Sequence, residues 1–204
     1  ERRRGQLEQS AHYLTIPNQE VRLVYSGAFR EWMHARMSGH GGDLERLTRG
    51  LLGGDAEALE EELQAFVEDL LSYHDAHAGH AGGVRPEQVY QGFVIGLLAV
   101  LEPGHRVRSN RESGKGRPDV LVIPAKPGMP GVVLELKVAK PGKKTLEQAL
   151  AEGAAQIESR RYAAELEAAG AEPVHAFAVA FDGKVVRVRG VPGHDARERG
   201  TIAP

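Results

Sequence analysis

Two apolar runs joined by a short segment rich in proline and glycine constrain this chain more than any other part of it. They are DVLVIP, from Asp119, and VVLELKV, from Val132. Runs of this length and content are typical of buried β-strands, and the short connection favours antiparallel pairing between them. The second run nevertheless contains a glutamate and a lysine. Because side chains alternate along a strand, Glu135 and Lys137 are predicted to project from the same face.

Two charges of opposite sign inside an apolar strand need a physical reason. Isolated burial of either charge is unfavourable, whereas ion pairing or metal coordination makes it tolerable. Asp119 opens the preceding strand, so antiparallel pairing brings it near Glu135 and Lys137. Two carboxylates and a lysine suit metal-dependent phosphodiester hydrolysis, in which the carboxylates hold a hard cation and the lysine neutralises charge. The alternative interpretation of the same residues is a surface salt bridge.

The cofactor expected from the composition is Mg²⁺, with Mn²⁺ as the alternative. The chain contains no cysteine, so a metal would have to be held by oxygen or imidazole ligands. Charge divides the chain near residue 80. Residues 1–80 contain 8 basic and 14 acidic residues, net −6, and residues 81–204 contain 18 and 14, net +4. A polyanion such as nucleic acid is therefore expected to contact the C-terminal part.

The pattern along the chain predicts an α/β fold in the order α, β, β, β, α, β, β from residue 86 onward. Helices are expected over 18–39, 43–52, 55–71, 86–101 and 145–169, and strands over 105–111, 119–124, 132–138, 175–181 and 184–190. A hairpin turn is expected at Asp182 and Gly183, and a boundary at His74–Gly83. No apolar run approaches the roughly 18 residues that span a bilayer, so a cytoplasmic protein without membrane association is expected.

The order Asp119, fifteen residues, Glu135, Leu136, Lys137 resembles the PD-(D/E)XK nuclease superfamily, whose core is αβββαβ. Five segments resemble, more closely, the nuclease-like domain at the C-terminal end of a bacterial family of predicted AAA-type ATPases (DUF1703-type). They are VYQGFVIGLL, SNRESGKGRPD, VLELKV, ALAEGAAQIESRRYAAEL and VAFDGKVVRV. The resemblance implies a restriction-endonuclease-like fold with a mixed sheet, preceded by a small helical region.

The same resemblance implies a domain organisation. The segment YLTIPNQEV is similar to the end of that family's ATPase region. Residues 1–80 would then be a helical remnant adjoining a missing ATPase domain, residues 81–190 the nuclease domain, and residues 191–204 a tail. The ATPase domain of the same full-length protein would be a partner, and a homodimer is a candidate assembly.

The resemblance also implies a metal site and a catalytic lysine. Asp119, Glu135 and the main-chain carbonyl of Leu136 would bind the cation, and Lys137 would be the catalytic lysine. Glu87, in the first turn of the preceding helix, matches an accessory acid that in many members reaches the metal directly or through water. The helix macrodipole alone also favours an acid at that position.

Further residues are expected around this metal site. Gln156 resembles the downstream glutamine that RecB-like members place near the active site, and it is expected to orient a water or a phosphate oxygen. The alternative for Gln156 is a polar residue on a solvated helix face. Basic residues near the two motifs are expected to contact substrate phosphates: Arg108, Arg111, Lys115, Arg117 and Arg160. Arg160 is expected one helical turn after Gln156, on the same face.

The sequence therefore predicts a deoxyribonuclease of PD-(D/E)XK type, in which a metal-activated water attacks a phosphodiester bond. The resemblance implies that a 5′-phosphate is left, as is usual for the superfamily. Two alternatives stay open. One is a non-cleaving nucleic-acid-binding or regulatory module of the ATPase, although a pure binding role needs no acid beside the phosphate. The other is a structure-specific resolvase of branched, Holliday-junction-type DNA that would work as a dimer.

Overall fold

The computed structural model describes residues 42–70, 86–109, 118–140, 142–160 and 162–192. Its helices are α1 (Leu44–Gly53), α2 (Ala56–Leu70), α3 (Pro86–Leu98), which a 3₁₀ turn continues at Ala99–Leu101, α4 (Leu146–Ser159) and α5 (Ala163–Ala168). Its strands are β1 (His105–Ser109), β2 (Val120–Pro124), β3 (Gly131–Val138), β4 (Val174–Asp182) and β5 (Val185–Val191). The helix expected over 18–39, the boundary at His74–Gly83 and residues 193–204 of the tail lie outside this range.

The five strands form one mixed sheet in the order β1-β2-β3-β4-β5. Strands β3 and β4 are parallel, and every other neighbouring pair is antiparallel. Parallel neighbours need a crossover connection, which α4 and α5 provide. The predicted α/β fold with a restriction-endonuclease-like mixed sheet is thus confirmed. None of the helices within the described ranges is long and apolar enough to cross a bilayer.

Alternating side chains divide the sheet between two apolar cores. Helices α1, α2 and α3 cover the first face, and α4 and α5 cover the second. On β4 the first face carries large residues and the second carries alanines: Phe177, Val179 and Phe181 against Ala176, Ala178 and Ala180. Because the second face is lined by small side chains, α4 lies close to the sheet there.

Helices α1 and α2 belong to the first core. Leu47, Leu51 and Phe66 are buried in the same cluster as Val120 and Phe177. The proposed division of the chain near residue 80 stays a prediction, but the described helices before that point pack on strands that follow it. The side chains of Asp43 and Asp55 cap α1 and α2, because they accept hydrogen bonds from amides of the helix that follows.

Helix α2 also covers the outer edge of β5. The Gln64 amide accepts from Val186 N–H at 2.8 Å and donates to the Lys184 carbonyl at 2.7 Å. The Glu60 carboxylate accepts from Val188 N–H at 2.6 Å. Gln64 and Glu60 thus bond main-chain groups of β5 that a sixth strand would otherwise bond. At these positions β5 is not free to pair with another chain.

The predicted helix over 145–169 is wrong in one respect, since it is two helices. Helix α4 ends at Ser159, and Arg160 is extended, with φ −123° and ψ 132°. The break places the Tyr162 ring in the second core, where the residue is 5% exposed. No proline or glycine marks the break, so local propensity predicted continuity and tertiary burial overrode it. The hairpin loop is also one residue later than predicted, at Gly183 and Lys184.

Gly153 sets the distance between α4 and the sheet, which yields a prediction for stability. A Cβ there would lie 3.2 Å from Ala178 Cβ and 3.4 Å from Lys137 Cγ. We expect Gly153→Val to lower the free energy of unfolding by about 1–3 kcal/mol through overpacking. Urea denaturation measures the change, with Gly92→Val as the matched control because a Cβ at Gly92 meets nothing within 4 Å. Equal effects of the two substitutions would contradict the prediction.

Candidate active site

Asp119 and Glu135 lie side by side on the face covered by α4. Val120 pairs with Leu134 in the antiparallel ladder of β2 and β3, so the register continued by one residue sets Asp119 opposite Glu135. Glu135 is 1% exposed, although it carries a carboxylate. The structure therefore brings together the two acids that the sequence singled out.

Pro118, the residue before Asp119, ends the main-chain hydrogen bonding between β2 and β3. Continued by two residues, the register sets Pro118 opposite Leu136. Proline has no N–H, so Pro118 cannot donate to the Leu136 carbonyl. Asp119 Oδ2 accepts the Leu136 N–H instead, at 2.8 Å. Because a strand residue directs its amide and carbonyl to the same side, the Leu136 carbonyl faces the site and is free of a ladder bond from Pro118.

Lys137 is held by two acceptors on the same sheet face and on α4. Its Nζ donates to Glu135 Oε1 at 2.8 Å and to Gln156 Oε1 at 2.8 Å. The lysine side chain is 16% exposed. An ammonium group has three hydrogens, so these two bonds leave one hydrogen for a ligand or water. Gln156 is thus part of the candidate active site and does not lie on a solvated helix face.

The orientation of the Gln156 amide is fixed by its neighbours. Lys137 can only donate, so the amide oxygen faces it, and Gln156 Nε2 donates to Tyr162 Oη at 2.9 Å. The sequence interpretation missed Tyr162, whose only signal was a tyrosine within an alanine- and glutamate-rich segment. Arg160 lies beyond the end of α4 and not one helical turn along it, but its Nη1 is 3.5 Å from Tyr162 Oη.

Helix α3 contacts the site through its first two turns. Glu87 Oε1 lies 3.5 Å from Lys140 Nζ. One turn later, Gln91 Nε2 donates to the main-chain carbonyl of Asp119 at 3.0 Å, which holds the start of β2 in place. The sequence interpretation missed both Gln91 and Lys140. The spacing of four residues between Glu87 and Gln91 was the available signal for the glutamine.

The other predicted phosphate contacts are not gathered at the carboxylates by this structure. Arg108 on β1 forms an ion pair with Glu165 on α5, and both side chains are about half exposed. Arg111, Lys115 and Arg117 lie outside the described residues. Their contact with substrate stays a prediction.

Burial controls the ionisation of the carboxyl pair. It raises the pKa of Glu135 to about 7, the Asp119 carboxylate adds to the rise, and Lys137 opposes it. Burial also raises the pKa of Asp119, against the effects of the Leu136 amide and Lys137, and the Glu87 carboxylate adds to the rise. The pair therefore holds a proton at pH values at which exposed carboxyl groups are ionised.

The donor set fits a small divalent cation. Glu135 Oε2 is buried and has no hydrogen-bond partner in the described part of the chain. A buried acceptor without a partner is unfavourable, and a cation would satisfy it. No group of three or more histidine, aspartate or glutamate side chains suited to a metal occurs among the described residues, so Glu87 does not complete such a set. Mg²⁺ commonly uses one or two carboxylates, with water and phosphate as the remaining ligands.

The raised pKa of Glu135 yields a prediction for the metal-free protein. The folded state binds more protons than the unfolded state between pH 4.5, the ordinary pKa of this group, and about 7. The contribution of Glu135 to stability therefore falls as pH rises through this window. We expect the free energy of unfolding of Glu135→Gln to rise by about 1–3 kcal/mol relative to that of wild type as pH increases through this window. Urea denaturation at four pH values in EDTA measures the difference, and parallel pH profiles would contradict it.

Comparison with known proteins agrees with the geometry of the site. A sequence model of the PD-(D/E)XK nuclease superfamily matches residues 85–189. This range is just over half of the 204 residues, and it includes Asp119, Glu135, Lys137 and Gln156. No curated protein matches the chain. The chain belongs to the PD-(D/E)XK nuclease superfamily.

Proposed function

We propose that this chain is a metal-dependent nuclease that hydrolyses phosphodiester bonds of DNA. The observation that carries the proposal is the buried Glu135 opposite the half-buried Asp119, with Lys137 bonded to Glu135. A salt bridge kept only for stability would not need a second acid directly opposite the first. Membership of a nuclease superfamily supports the same activity.

The residues of the site divide the chemistry between them. Asp119, Glu135 and the Leu136 carbonyl would hold a divalent cation, Mg²⁺ or Mn²⁺, which when bound polarises a phosphate and lowers the pKa of a water. Lys137 directs its remaining hydrogen towards a phosphate oxygen or the attacking water. Its charge, in a largely buried position, stabilises the negative charge that develops as the new P–O bond forms and the old one breaks.

The rate of cleavage is expected to depend on pH, because the carboxyl pair can be protonated. Both acids must be ionised to act as cation ligands, and burial raises the pKa of each. Activity is therefore expected to rise with pH as the pair loses its proton. A cytoplasmic location, an ATPase domain as partner and a homodimer remain proposals that rest on the sequence.

The first test compares cleavage by wild type with two site variants. The substrates are single-stranded, duplex and branched DNA and RNA, each with Mg²⁺, Mn²⁺ or EDTA. We expect Asp119→Ala and Lys137→Met to slow cleavage of DNA by at least about 100-fold, since each removes a group that acts on the reacting phosphate or water. The matched control is Lys126→Met, because Lys126 is exposed in the turn at the opposite end of β2 and β3.

Each other result of this assay would overturn a defined part of the proposal. Binding of DNA without cleavage would replace it with the non-cleaving module. Cleavage of branched DNA alone would identify a resolvase. Equal cleavage by wild type and Lys137→Met would remove the lysine from the mechanism.

A second test asks whether Tyr162 acts through Gln156. Tyr162→Phe keeps the buried ring and removes the hydroxyl group that fixes the amide. We expect a loss of about 3- to 10-fold in kcat, the value of one hydrogen bond, with little change in KM. In a Gln156→Ala background the same substitution should have no further effect, because the bonded partner is already gone. Additive losses in this double-mutant cycle would assign Tyr162 a separate role.

A further inference from the structure

The turn between β3 and α4 carries three lysines within five residues, Lys140, Lys143 and Lys144, and we call it the lysine turn. Main-chain bonds close it. Lys140 N–H donates to the Lys144 carbonyl at 2.9 Å, and the Lys140 carbonyl accepts from the amides of Lys143 and Lys144, both at 2.8 Å. Gly142 provides the positive φ of 71° that the turn requires. These bonds hold the main chains of Lys140, Lys143 and Lys144 against one another.

The lysine turn directly follows β3, at the same end of the strand as Glu135 and Lys137. Lys140 follows Lys137 by three residues, and its ammonium group is 3.5 Å from Glu87. Glu87 is in the first turn of α3, and one turn later Gln91 of the same helix bonds the main-chain carbonyl of Asp119 at 3.0 Å. Helix α3 thus connects the turn to the start of β2.

The charge of the lysine turn is only partly compensated. Lys144 pairs with Glu152 and is 29% exposed at the side chain, whereas the Lys140 side chain is 57% exposed. Lys143 is exposed, and the described part of the chain offers it no ion-pair partner. A solvated turn would account for exposed lysines, but this turn also places Lys140 against Glu87, at the end of β3 that carries the carboxyl pair.

The electrostatics of the site explain why such a turn is needed. When ionised and without a bound cation, Asp119, Glu135 and Glu87 place negative charge where a nucleic-acid strand must approach, and each DNA strand carries one phosphate charge per about 3.4 Å of helix axis. Phosphates on either side of the scissile bond therefore pass close to these acids. Cations at the rim offset the repulsion and hold the strand in position.

We propose that the lysine turn binds the backbone phosphates of DNA that flank the scissile bond, with Lys143 and Lys140 as the contacts. The inference rests on the proposed nuclease function and adds the surface that positions the strand. Contacts to phosphate carry no sequence information, so this surface binds DNA of any sequence. Lys140 can bind a phosphate while it contacts Glu87, because its ammonium group has three hydrogens.

The test measures DNA binding with cleavage blocked by EDTA, using the full chain and a fluorescent 20-base-pair duplex at several salt concentrations. We expect Lys143→Gln to weaken binding by about 3- to 10-fold at low salt and to reduce the slope of log K against log salt by about 1. The Lys140→Gln/Lys143→Gln variant should reduce the slope by about 2. Lys126→Gln, the same charge change at the far end of the strands, should leave slope and affinity unchanged.

Two results would overturn the inference. Equal effects of Lys143→Gln and Lys126→Gln would mean that only overall charge matters. An unchanged slope in the double variant would mean that the turn contacts no phosphate. Cleavage measured separately with Mg²⁺ keeps the two proposals apart. If wild type cleaves DNA but the lysine variants bind it as wild type does, only the inference is wrong. If binding depends on the lysines but no DNA is cleaved, the nuclease proposal is wrong, and of the inference only the binding of DNA phosphates by the turn is kept.

Discussion

The buried carboxylate of Glu135 is the group on which the arrangement of the site depends. An ionised acid that is 1% exposed is unfavourable unless its oxygens are satisfied, and only one of them has a partner among the described residues. Lys137 bonds Oε1, and the Asp119 carboxylate raises the pKa of Glu135 further. A proton or a cation would satisfy the remaining oxygen. The strand is therefore more stable with one of the two present.

Close packing of α4 on the sheet makes the lysine position possible. Alanines on β4 and glycine on the helix remove the side chains that would separate the two layers, and the Lys137 stem passes beside Gly153. At this separation Gln156, one turn further along α4, reaches the lysine. The break after Ser159 then lets Tyr162 enter the same core and hold the amide. The packing of α4 and the contacts of Lys137 thus depend on the same small residues.

The face of the sheet that carries the site, and the pairing of the two acids, could be predicted from the sequence because both follow from local rules. A period of two sets Glu135 and Lys137 on one face, and a short link between strands sets Asp119 beside them. The sequence was insufficient for Tyr162 and Gln91, which reach the site only through the tertiary position of a broken helix and of α3. No residue at the break disfavours a helix strongly, so the pattern alone could not place Tyr162.

The Pro-Asp pair shows how a strand end becomes a site. An ordinary residue at 118 would offer an N–H to Leu136 and extend the ladder of β2 and β3 by another pair. Pro118 cannot, so pairing stops, and Asp119 uses a side-chain oxygen to satisfy the amide that the ladder leaves behind. The Leu136 carbonyl has no such replacement from the β2 backbone. The same covalent restriction that ends the sheet thus leaves a main-chain oxygen on the side of the two carboxylates, and all three are hard oxygen donors of the kind that a small divalent cation prefers.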